Sequence, residues 1–349
     1  MSSNQLPDVR ILLAFFLAAV SVPSALARAE DPLPFVPGSW TLVVVPDTQR
    51  YTDPTSDPKL EIFKTITQWI ADNAQDRNIK FVLHEGDVTA SNRKSHWQVA
   101  SDAMAILDEA GVPYSLALGN HDHDQNDPHH HAPNRDTLLN DYFGVARYQA
   151  MPTFGGLFEP GRTENNYHLF SAGGRDYIAL VLEWGPRDEA IVWADKVLSE
   201  HLDRTALIVT HAYTYSDGTR YDWAAKKLDQ DYNPHHHAYG FSAPHDGTED
   251  VNDGEQLWQK LISKHENIRM VFSGHVKWAG ARQTAVGAHG RRIHEMVAAY
   301  HDPPQGWIRL VEFLPDGQTV QVKTYSPHLD KSMTNDAQQF VFQFQVDEK

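Results

Sequence analysis

Short apolar runs recur along the chain, and five of them end at a residue whose side chain can bind a metal ion. In the first, three valines at 43–45 are followed by Pro46 and Asp47. Runs of β-branched residues are typical of buried strands, and the loops at strand ends are where proteins commonly build sites. The other four runs end at carboxylate, amide or imidazole side chains, namely Asp87, Asn120 with His121 and Asp122, His211, and His275. Five strand ends of this composition predict a metal site.

The segments between these strands carry apolar residues at helical spacing. Helices are predicted near residues 57–70, 95–107 and 189–202, each with its apolar positions three or four residues apart on one face. Alternation of strand and helix predicts an α/β sheet. The C-terminal part predicts a run of antiparallel strands at 293–298, 307–314 and 319–324, with a turn at Pro315-Asp316-Gly317.

Two long polar segments, at about 121–166 and 213–253, interrupt the alternation. We interpret them as loop insertions in a single catalytic domain that covers residues 30–349. Each contains the sequence Pro-His-His-His-Ala, with the histidines at 129–131 and at 235–237. Two interpretations of these histidines stay open, a metal- or anion-binding rim above the site and a solvated loop.

Residues 1–29 have the organisation of a secretory signal peptide. Arg10 precedes a wholly apolar run at 11–20, and small residues follow, with Ala27 and Ala29 at overlapping cleavage sites. The apolar run is too short to span a bilayer, and no later segment is long and apolar enough to do so. These features predict a secreted or periplasmic protein that makes no contact with the membrane after the signal is cleaved.

A core of substantial size is expected, because 41% of the 349 residues are hydrophobic. No cysteine is present, which excludes disulfide bonds and thiolate metal ligands. A net charge of −16 argues against a basic surface that binds nucleic acid. A small anionic substrate stays compatible with this charge, since a bound cation reverses the local field.

The order of the ligand-type residues resembles that of the calcineurin-like metallophosphoesterases. The resemblance extends from about residue 41 to residue 324 and rests on Asp47, Gly86-Asp87, Gly119-Asn120-His121-Asp122, His211 and Gly274-His275. Pro46-Asp47-Thr48-Gln49 marks a branch of this superfamily, since it stands in place of Asp-x-His. The resemblance implies an α/β fold of four layers, an α-β-β-α sandwich of two mixed sheets, and metal-assisted attack on a phosphate ester.

The resemblance also implies a divalent metal, either Zn, Mn or Fe. At the family's second metal position the ligands would be Asp87, Asn120, His211 and His275. At the first position the chain keeps Asp47 but has Gln49 and Lys277 where the family has histidines. Because a protonated lysine does not ligate a metal, we expect one firmly held ion, with Lys277 supplying fixed positive charge at the depleted position. A weakly held second metal, bound by Asp47, Asp87 and the Gln49 carbonyl oxygen, is the alternative.

Catalytic roles follow from the same resemblance. His121 would protonate the leaving oxygen or stabilise the developing charge, with Asp122 orienting its ring. Three further residues are predicted to contact the substrate, namely Tyr213, Arg187 and His123.

Three functions are compatible with these residues. The first is an exported metal-dependent phosphoesterase that hydrolyses a phosphodiester or a small phosphate ester with metal-activated water. The second is a metal-dependent lyase that acts on an acidic, uronate-containing polysaccharide, with Tyr or His as base and acid. The third is a metal-binding module without turnover. The expected partner is a small anionic substrate or a polysaccharide and not nucleic acid, and the oligomeric state is not predicted.

Overall fold

The computed structural model of the protein describes residues 31–55, 59–123, 132, 134–236, 250–277 and 279–343. The predicted signal peptide at 1–29 lies outside the described residues. So do the first histidine triplet, at 129–131, and the last residue of the second triplet, His237.

The predicted helices form, and four short ones accompany them. The helices are α1 (Leu60–Asn73), α2 (Lys94–Ala110), α3 (Leu139–Tyr142), α4 (Val145–Gln149), α5 (Asp188–Glu200), α6 (Trp223–Lys226) and α7 (Gly254–Lys260). In α1 the apolar positions at helical spacing are the buried ones, with Phe63 and Ile66 fully enclosed. Burial of such a side chain stabilises the fold by about 1.5–3 kcal/mol, so this face fixes the helix against a sheet. Helix α2 ends at Gly111, whose φ of 65° is the left-handed conformation that glycine adopts without strain.

Fourteen strands form two mixed sheets within the described residues. The strands are β1 (Trp40–Val45), β2 (Ile79–His84), β3 (Tyr114–Leu116), β4 (Phe154–Leu157), β5 (Asn166–Ala172), β6 (Arg175–Val181), β7 (Thr205–Val209), β8 (Ile268–Ser273), β9 (Ala279–Val286), β10 (Arg292–Ala299), β11 (Ile308–Phe313), β12 (Thr319–Ser326), β13 (Lys331–Met333) and β14 (Phe340–Gln343). The first sheet has the order β13-β12-β11-β1-β2-β3, with β14 beside β12. The second has the order β4-β5-β6-β7-β8-β10-β9.

The two sheets pack face to face with helices on both outer sides. Between the sheets lies an apolar cluster in which Phe81 of the first sheet meets Leu207 and Phe272 of the second. Helices α1 and α2 cover the outer face of the first sheet, and α5 and α7 cover the outer face of the second. The predicted four-layer sandwich is therefore confirmed.

Strand direction brings the site residues to one edge of each sheet. In the first sheet β1, β2 and β3 run parallel to one another, so their carboxyl ends share an edge. In the second sheet the same holds for β6, β7, β8 and β10. Ligands in such sheets bind at the carboxyl ends of the strands. No helix in the described ranges has the length and apolar character that crossing a membrane requires.

Two parts of the chain differ from the sequence-based expectation. The segment 121–166, interpreted as a loop insertion, contains α3, α4 and β4, and its Phe143 and Tyr148 are fully buried in the core beneath α2. The C-terminal strands do not form one antiparallel run, because β10 lies in the second sheet, parallel to β8 and antiparallel to the unpredicted β9. Strand β9 has small and polar residues and pairs only with β10, so its pattern is weak. Strands β11 and β12 do form the predicted hairpin.

Candidate metal centre

Asp87 is held in one conformation by backbone and side-chain donors. It follows β2 after Gly86, and it is a non-glycine residue with a φ of 49°. Its Oδ1 accepts a hydrogen bond from the backbone N–H of His121 at 3.0 Å, and its Oδ2 accepts one from Gln49 Nε2 at 3.0 Å. A buried residue in this sparsely populated conformation persists because its surroundings fix it. The carboxylate is therefore preorganised.

His211 and His275 converge on this carboxylate from the second sheet. Nε2 of His211 lies 3.2 Å from Asp87 Oδ1 and 3.2 Å from Nδ1 of His275. The other nitrogen of each ring donates to a backbone carbonyl, His211 Nδ1 to Glu85 at 2.7 Å and His275 Nε2 to Tyr232 at 2.7 Å. Because a carbonyl only accepts, these bonds place a proton on His211 Nδ1 and on His275 Nε2, and they turn the other nitrogen of each ring toward Asp87.

The charges in this cluster are strongly coupled. Burial alone would lower the pKa of His211, but Asp87 outweighs burial and raises it to about 9. For Asp87, burial raises the pKa, yet the two histidines His211 and His121 bring it below the ordinary value. Burial, assisted by the charge of His211, lowers the pKa of His275 to about 3. One positive charge beside the carboxylate is therefore stabilised, and His275 stays neutral as a ligand must.

The donor set fits a divalent cation. One oxygen of Asp87 and one nitrogen from each of His211 and His275 lie within 4.8 Å of one another, and all three residues are buried. His211 Nε2 and His275 Nδ1 face each other at 3.2 Å, so a cation that displaced the proton of His211 would meet both nitrogens. Mixed imidazole and carboxylate ligands suit Zn, Mn or Fe.

Asn120, the fourth predicted ligand, lies beside Asp87 in a buried position. Its neighbours on both sides contact that carboxylate, since His121 donates its backbone N–H to Oδ1 and Gly119 packs against it. A Cβ atom at Gly119 would lie 2.1 Å from Asp87 Oδ1, so only glycine allows this approach. Gly274, which follows β8, allows a similarly close approach, because a Cβ atom there would lie 2.2 Å from Asp47 Oδ1.

His121 stands at the edge of the cluster with one nitrogen directed to it. Its Nδ1 donates to the carbonyl of Ala90 at 2.9 Å, and its Nε2 lies 3.8 Å from Asp87 Oδ2. The side chain is 15% exposed, whereas that of Asp87 is 2% exposed. His121 Nε2 therefore approaches the cluster from a side chain that is partly exposed to solvent.

Asp122 supports the loop that carries Asp87. Its Oδ2 accepts from the backbone of Gly119 and Val88, and its Oδ1 accepts from both the N–H and the hydroxyl of Thr89. Burial, with the charge of Asp87, raises the pKa of Asp122 to about 7. We predicted that Asp122 orients the His121 ring, but the contact that orients it comes from Ala90.

The depleted first metal position has an unpredicted histidine. Nδ1 of His301 lies 3.2 Å from Asp47 Oδ2, and both side chains are buried. The carboxylate of Asp47 also accepts the backbone N–H of His275, at 3.2 Å and 3.1 Å to its two oxygens. Lys277 is exposed and makes no hydrogen bond or ion pair with any residue the structure describes, so its role at this position stays a prediction.

The structure does not place two of the predicted substrate residues at the site surface. Tyr213 is fully buried, and its hydroxyl donates to Glu295 Oε1 at 3.0 Å. Arg187 forms ion pairs with Glu183 at 2.9 Å and Glu159 at 3.0 Å. Both side chains are engaged by carboxylates of the protein itself, so the structure gives the predicted contacts with substrate no support.

His123 lies beneath the surface rather than on it. The side chain is 4% exposed, and burial, together with the charges of Arg135 and Arg162, lowers its pKa to about 3. In the second histidine triplet, His235 is buried and its Nε2 lies 2.6 Å from Gln256 Oε1. His235 is therefore a structural residue, in agreement with neither a solvated loop nor a surface rim.

Four groups that complete the site were not predicted. The carbonyl oxygens of Tyr232 and Ala90 act through the backbone, which residue types do not reveal. The sequence does indicate His301 as a candidate ligand, because it follows the apolar run 296–299 just as the other candidate ligands follow their apolar strands. Trp184 is fully buried and packs against the ring of His275, with 4.8 Å between ring centroids, so it forms part of the buried wall of the site.

Comparison with known proteins gives the family. Residues 41–278 match the family described as calcineurin-like phosphoesterase. Over 309 residues the chain is 31% identical to the uncharacterized protein YvnB of Bacillus subtilis strain 168, an alignment that covers 86% of this chain and 21% of that protein. The chain thus spans about a fifth of the length of this relative.

Two solved structures are also similar to the chain. The purple acid phosphatase PPD1 of yellow lupin (Lupinus luteus) is 16% identical with a TM-score of 0.48, and the match covers 89% of this chain and 55% of that one. The NAD nucleotidase NadN of Haemophilus influenzae is 10% identical with a TM-score of 0.43, covering 83% and 48% of the two chains. Since the family match extends over about two thirds of the sequence, the chain belongs to the calcineurin-like phosphoesterases.

Proposed function

We propose that the protein is an exported, metal-dependent phosphoesterase that hydrolyses a phosphodiester or a small phosphate ester. The observation that carries the proposal is the convergence of Asp87, His211 and His275 within 4.8 Å, with His121 Nε2 at the exposed edge. A family whose members are phosphoesterases gives this arrangement its most direct interpretation.

Three residues of the cluster would hold the metal ion. A divalent cation held by Asp87, His211 and His275, with Asn120 beside them, would lower the pKa of the water that attacks phosphorus. Asp87 and the two histidines are buried and rigidly oriented, so they present their electron pairs at one point without reorganisation.

His121 is suited to act on the leaving oxygen of the ester. Its Nδ1 is bonded to the Ala90 carbonyl and its Nε2 lies 3.8 Å from Asp87 Oδ2, so Nε2 is the atom that would carry a proton to the leaving oxygen or stabilise the charge there. Asp122 acts indirectly. It accepts hydrogen bonds from the backbone that follows Asp87 and thereby fixes the position of the Asp87 carboxylate. His121 is accordingly the catalytic residue, and Asp122 is a positioning residue.

The substrate class follows from charge and accessibility. With a net charge of −16, the chain lacks the overall positive charge that attracts a polyanion, so a small ester is favoured over nucleic acid. For the lyase alternative, Tyr213 is an unsuitable base, because its buried hydroxyl is already bonded to Glu295. The family match favours hydrolysis and does not support the lyase.

Turnover of bis-p-nitrophenyl phosphate by the purified full chain tests the proposal. Activity should disappear on chelation and return with added Mn²⁺ or Zn²⁺. His121→Ala should lower kcat by about 10²–10⁴-fold while the metal content stays at the wild-type level. The matched control is His201→Ala, at the end of α5 beside Tyr167, which should keep full activity. Turnover that survives chelation or His121→Ala would show that the proposed function is wrong.

Export is tested separately, because it rests on residues 1–29 alone. N-terminal sequencing of the protein recovered from the periplasm or the medium should begin near residue 28 or 30. Recovery of the uncleaved chain from the cytosol would contradict export without affecting the enzymatic proposal.

A further inference from the structure

His301 lies at the site because of the direction of β10. This strand runs parallel to β8, so its carboxyl end lies at the same edge of the sheet as His275. His301 follows two residues after the end of β10 and is 3% exposed. Its Nδ1 approaches Asp47 Oδ2 to 3.2 Å. A buried imidazole therefore stands where the two family histidines, at 49 and 277, are absent.

Two buried atoms at this position make no regular hydrogen bond with any residue that the structure describes. Nδ1 of His301 has only the 3.2 Å ion-pair contact with Asp47 Oδ2, and Oε1 of Gln49 has no hydrogen-bond partner in the described part of the chain. Each unsatisfied buried polar atom costs about 1–3 kcal/mol. The nitrogen of the same Gln49 amide donates to Asp87 Oδ2 at 3.0 Å, which fixes the direction of its oxygen. Both atoms carry electron pairs that a cation would satisfy.

We propose that His301 replaces the missing imidazoles and that Asp47 Oδ2, His301 Nδ1 and Gln49 Oε1 bind a second divalent cation beside the first. The inference rests on the metal centre of the proposed function, and it changes the expected number of ions from one to two. One nitrogen and two oxygens form a donor set of the same kind as that of Asp87, His211 and His275, which suits Mn, Fe or Zn.

The loop that carries His301 is fixed to the segment that carries Gln49. The backbone N–H of Gly306 donates to the hydroxyl of Tyr51 at 3.0 Å. Arg50 and Asp302 form an ion pair at 3.7 Å. Two contacts made by residues that follow His301 thus connect its loop to the residues that follow Gln49, and such supporting contacts help to orient metal ligands.

The number of bound ions tests the inference. The full chain is stripped with a chelator, reloaded with Mn²⁺ alone, freed of excess ion and analysed by mass spectrometry and by electron paramagnetic resonance. We expect about two ions per wild-type chain with a spin-coupled signal, and about one ion with an uncoupled signal for His301→Ala. The matched control is His294→Ala, a buried histidine on β10 whose ring bonds to Thr284, which should retain about two ions.

Each outcome decides the inference. About one ion in the wild type, or about two in His301→Ala, would overturn it and leave the proposed function intact. Absence of any bound ion in the wild type would instead remove the metal centre of the proposed function as well. Should His301→Ala not fold, Gln49→Leu removes the second orphaned atom at similar size and should also bind about one ion. His301→Asn, which offers a ligand oxygen, should restore part of the second binding step.

Discussion

Nε2 of His211 lies 3.2 Å from Oδ1 of Asp87, and this contact joins the two sheets of the sandwich. Asp87 follows β2 of the first sheet, and His211 follows β7 of the second. The remaining nitrogen of His211 is bonded to the Glu85 carbonyl, so the ring has one orientation. Metal affinity therefore depends on how the sheets are packed as well as on which ligands are present.

Removing the charge of Asp87 should abolish metal binding. Asp87→Asn keeps the size of the side chain but loses the carboxylate that holds the pKa of His211 at about 9. Loss of an outer-shell partner alone weakens metal affinity by about 10–100-fold, so loss of this ligand should exceed about 100-fold. The measurement is titration of the stripped protein with Mn²⁺ or Zn²⁺. Asp229→Asn, an exposed aspartate, is the control and should bind as the wild type does. Equal affinity of Asp87→Asn and wild type would contradict the assignment.

Gly119→Ala should displace Asp87 without changing any ligand. The added Cβ would meet Asp87 Oδ1 at 2.1 Å and the backbone nitrogen of Asp87 at 2.5 Å, so the loop has to shift. We expect loss of bound metal together with loss of phosphodiesterase turnover. Gly174→Ala is the control, because Gly174 has a φ of 76° and no atom within 4 Å of the new Cβ. Its cost of about 1–2 kcal/mol should affect stability alone. Normal metal content in Gly119→Ala would argue against the close packing of the site.

Tyr213→Phe should affect stability and not substrate binding. The variant loses the hydroxyl that donates to Glu295 at 3.0 Å and accepts from Arg220 Nε at 3.1 Å. A buried hydrogen bond contributes about 1–2 kcal/mol, which should appear in the free energy of unfolding measured in urea. KM for bis-p-nitrophenyl phosphate should stay unchanged. A several-fold rise in KM with unaltered stability would restore the original prediction that Tyr213 contacts substrate.

His168 is not a candidate metal ligand, but it should make the folded protein less stable in acid. Burial lowers its pKa from 6.5 to about 3. The folded chain keeps His168 neutral while the unfolded chain takes up a proton, so this contribution is complete above pH 6.5 and is lost as pH falls toward about 3.

His168→Phe removes the titrating group and suits its surroundings, since the ring packs against Phe81 and Phe154. The slope of unfolding free energy against pH should fall by up to about 1.4 kcal/mol per unit. Urea unfolding in a chelator, at several pH values below neutrality, measures the slope without interference from metal release. His201→Phe, at the end of α5, should leave it unchanged. The same slope in His168→Phe and wild type would contradict the expectation.

Strand ends were predictable because their signal is local. An apolar run followed by Asp87 or His211 shows both the buried strand and the polar group that must leave it, and parallel strands place such ends at one edge. The four-layer order followed from the family resemblance and is confirmed by the separate apolar clusters on each side of the sheets.

Side-chain direction and partner choice were not predictable because their causes lie far along the chain. Tyr213 turns inward to Glu295, which is 82 residues away in sequence. Arg187 pairs with Glu159, at a separation of 28 residues. His301 was overlooked because β10 was assigned to an antiparallel run, whose direction would have placed its end elsewhere. One wrong strand partner thus concealed one candidate ligand.

The carbonyl of Tyr232 gives the second polar segment influence over the ion. Tyr232 has a φ of 69°, and its carbonyl accepts the proton of His275 Nε2 at 2.7 Å. A stronger hydrogen bond to this carbonyl makes Nδ1 of His275 more basic. Displacement of the carbonyl makes Nδ1 a weaker metal ligand. Substitutions within residues 213–236 that move this carbonyl are therefore expected to change metal affinity without altering any ligand, which makes the segment a route by which evolution or an engineer adjusts the site.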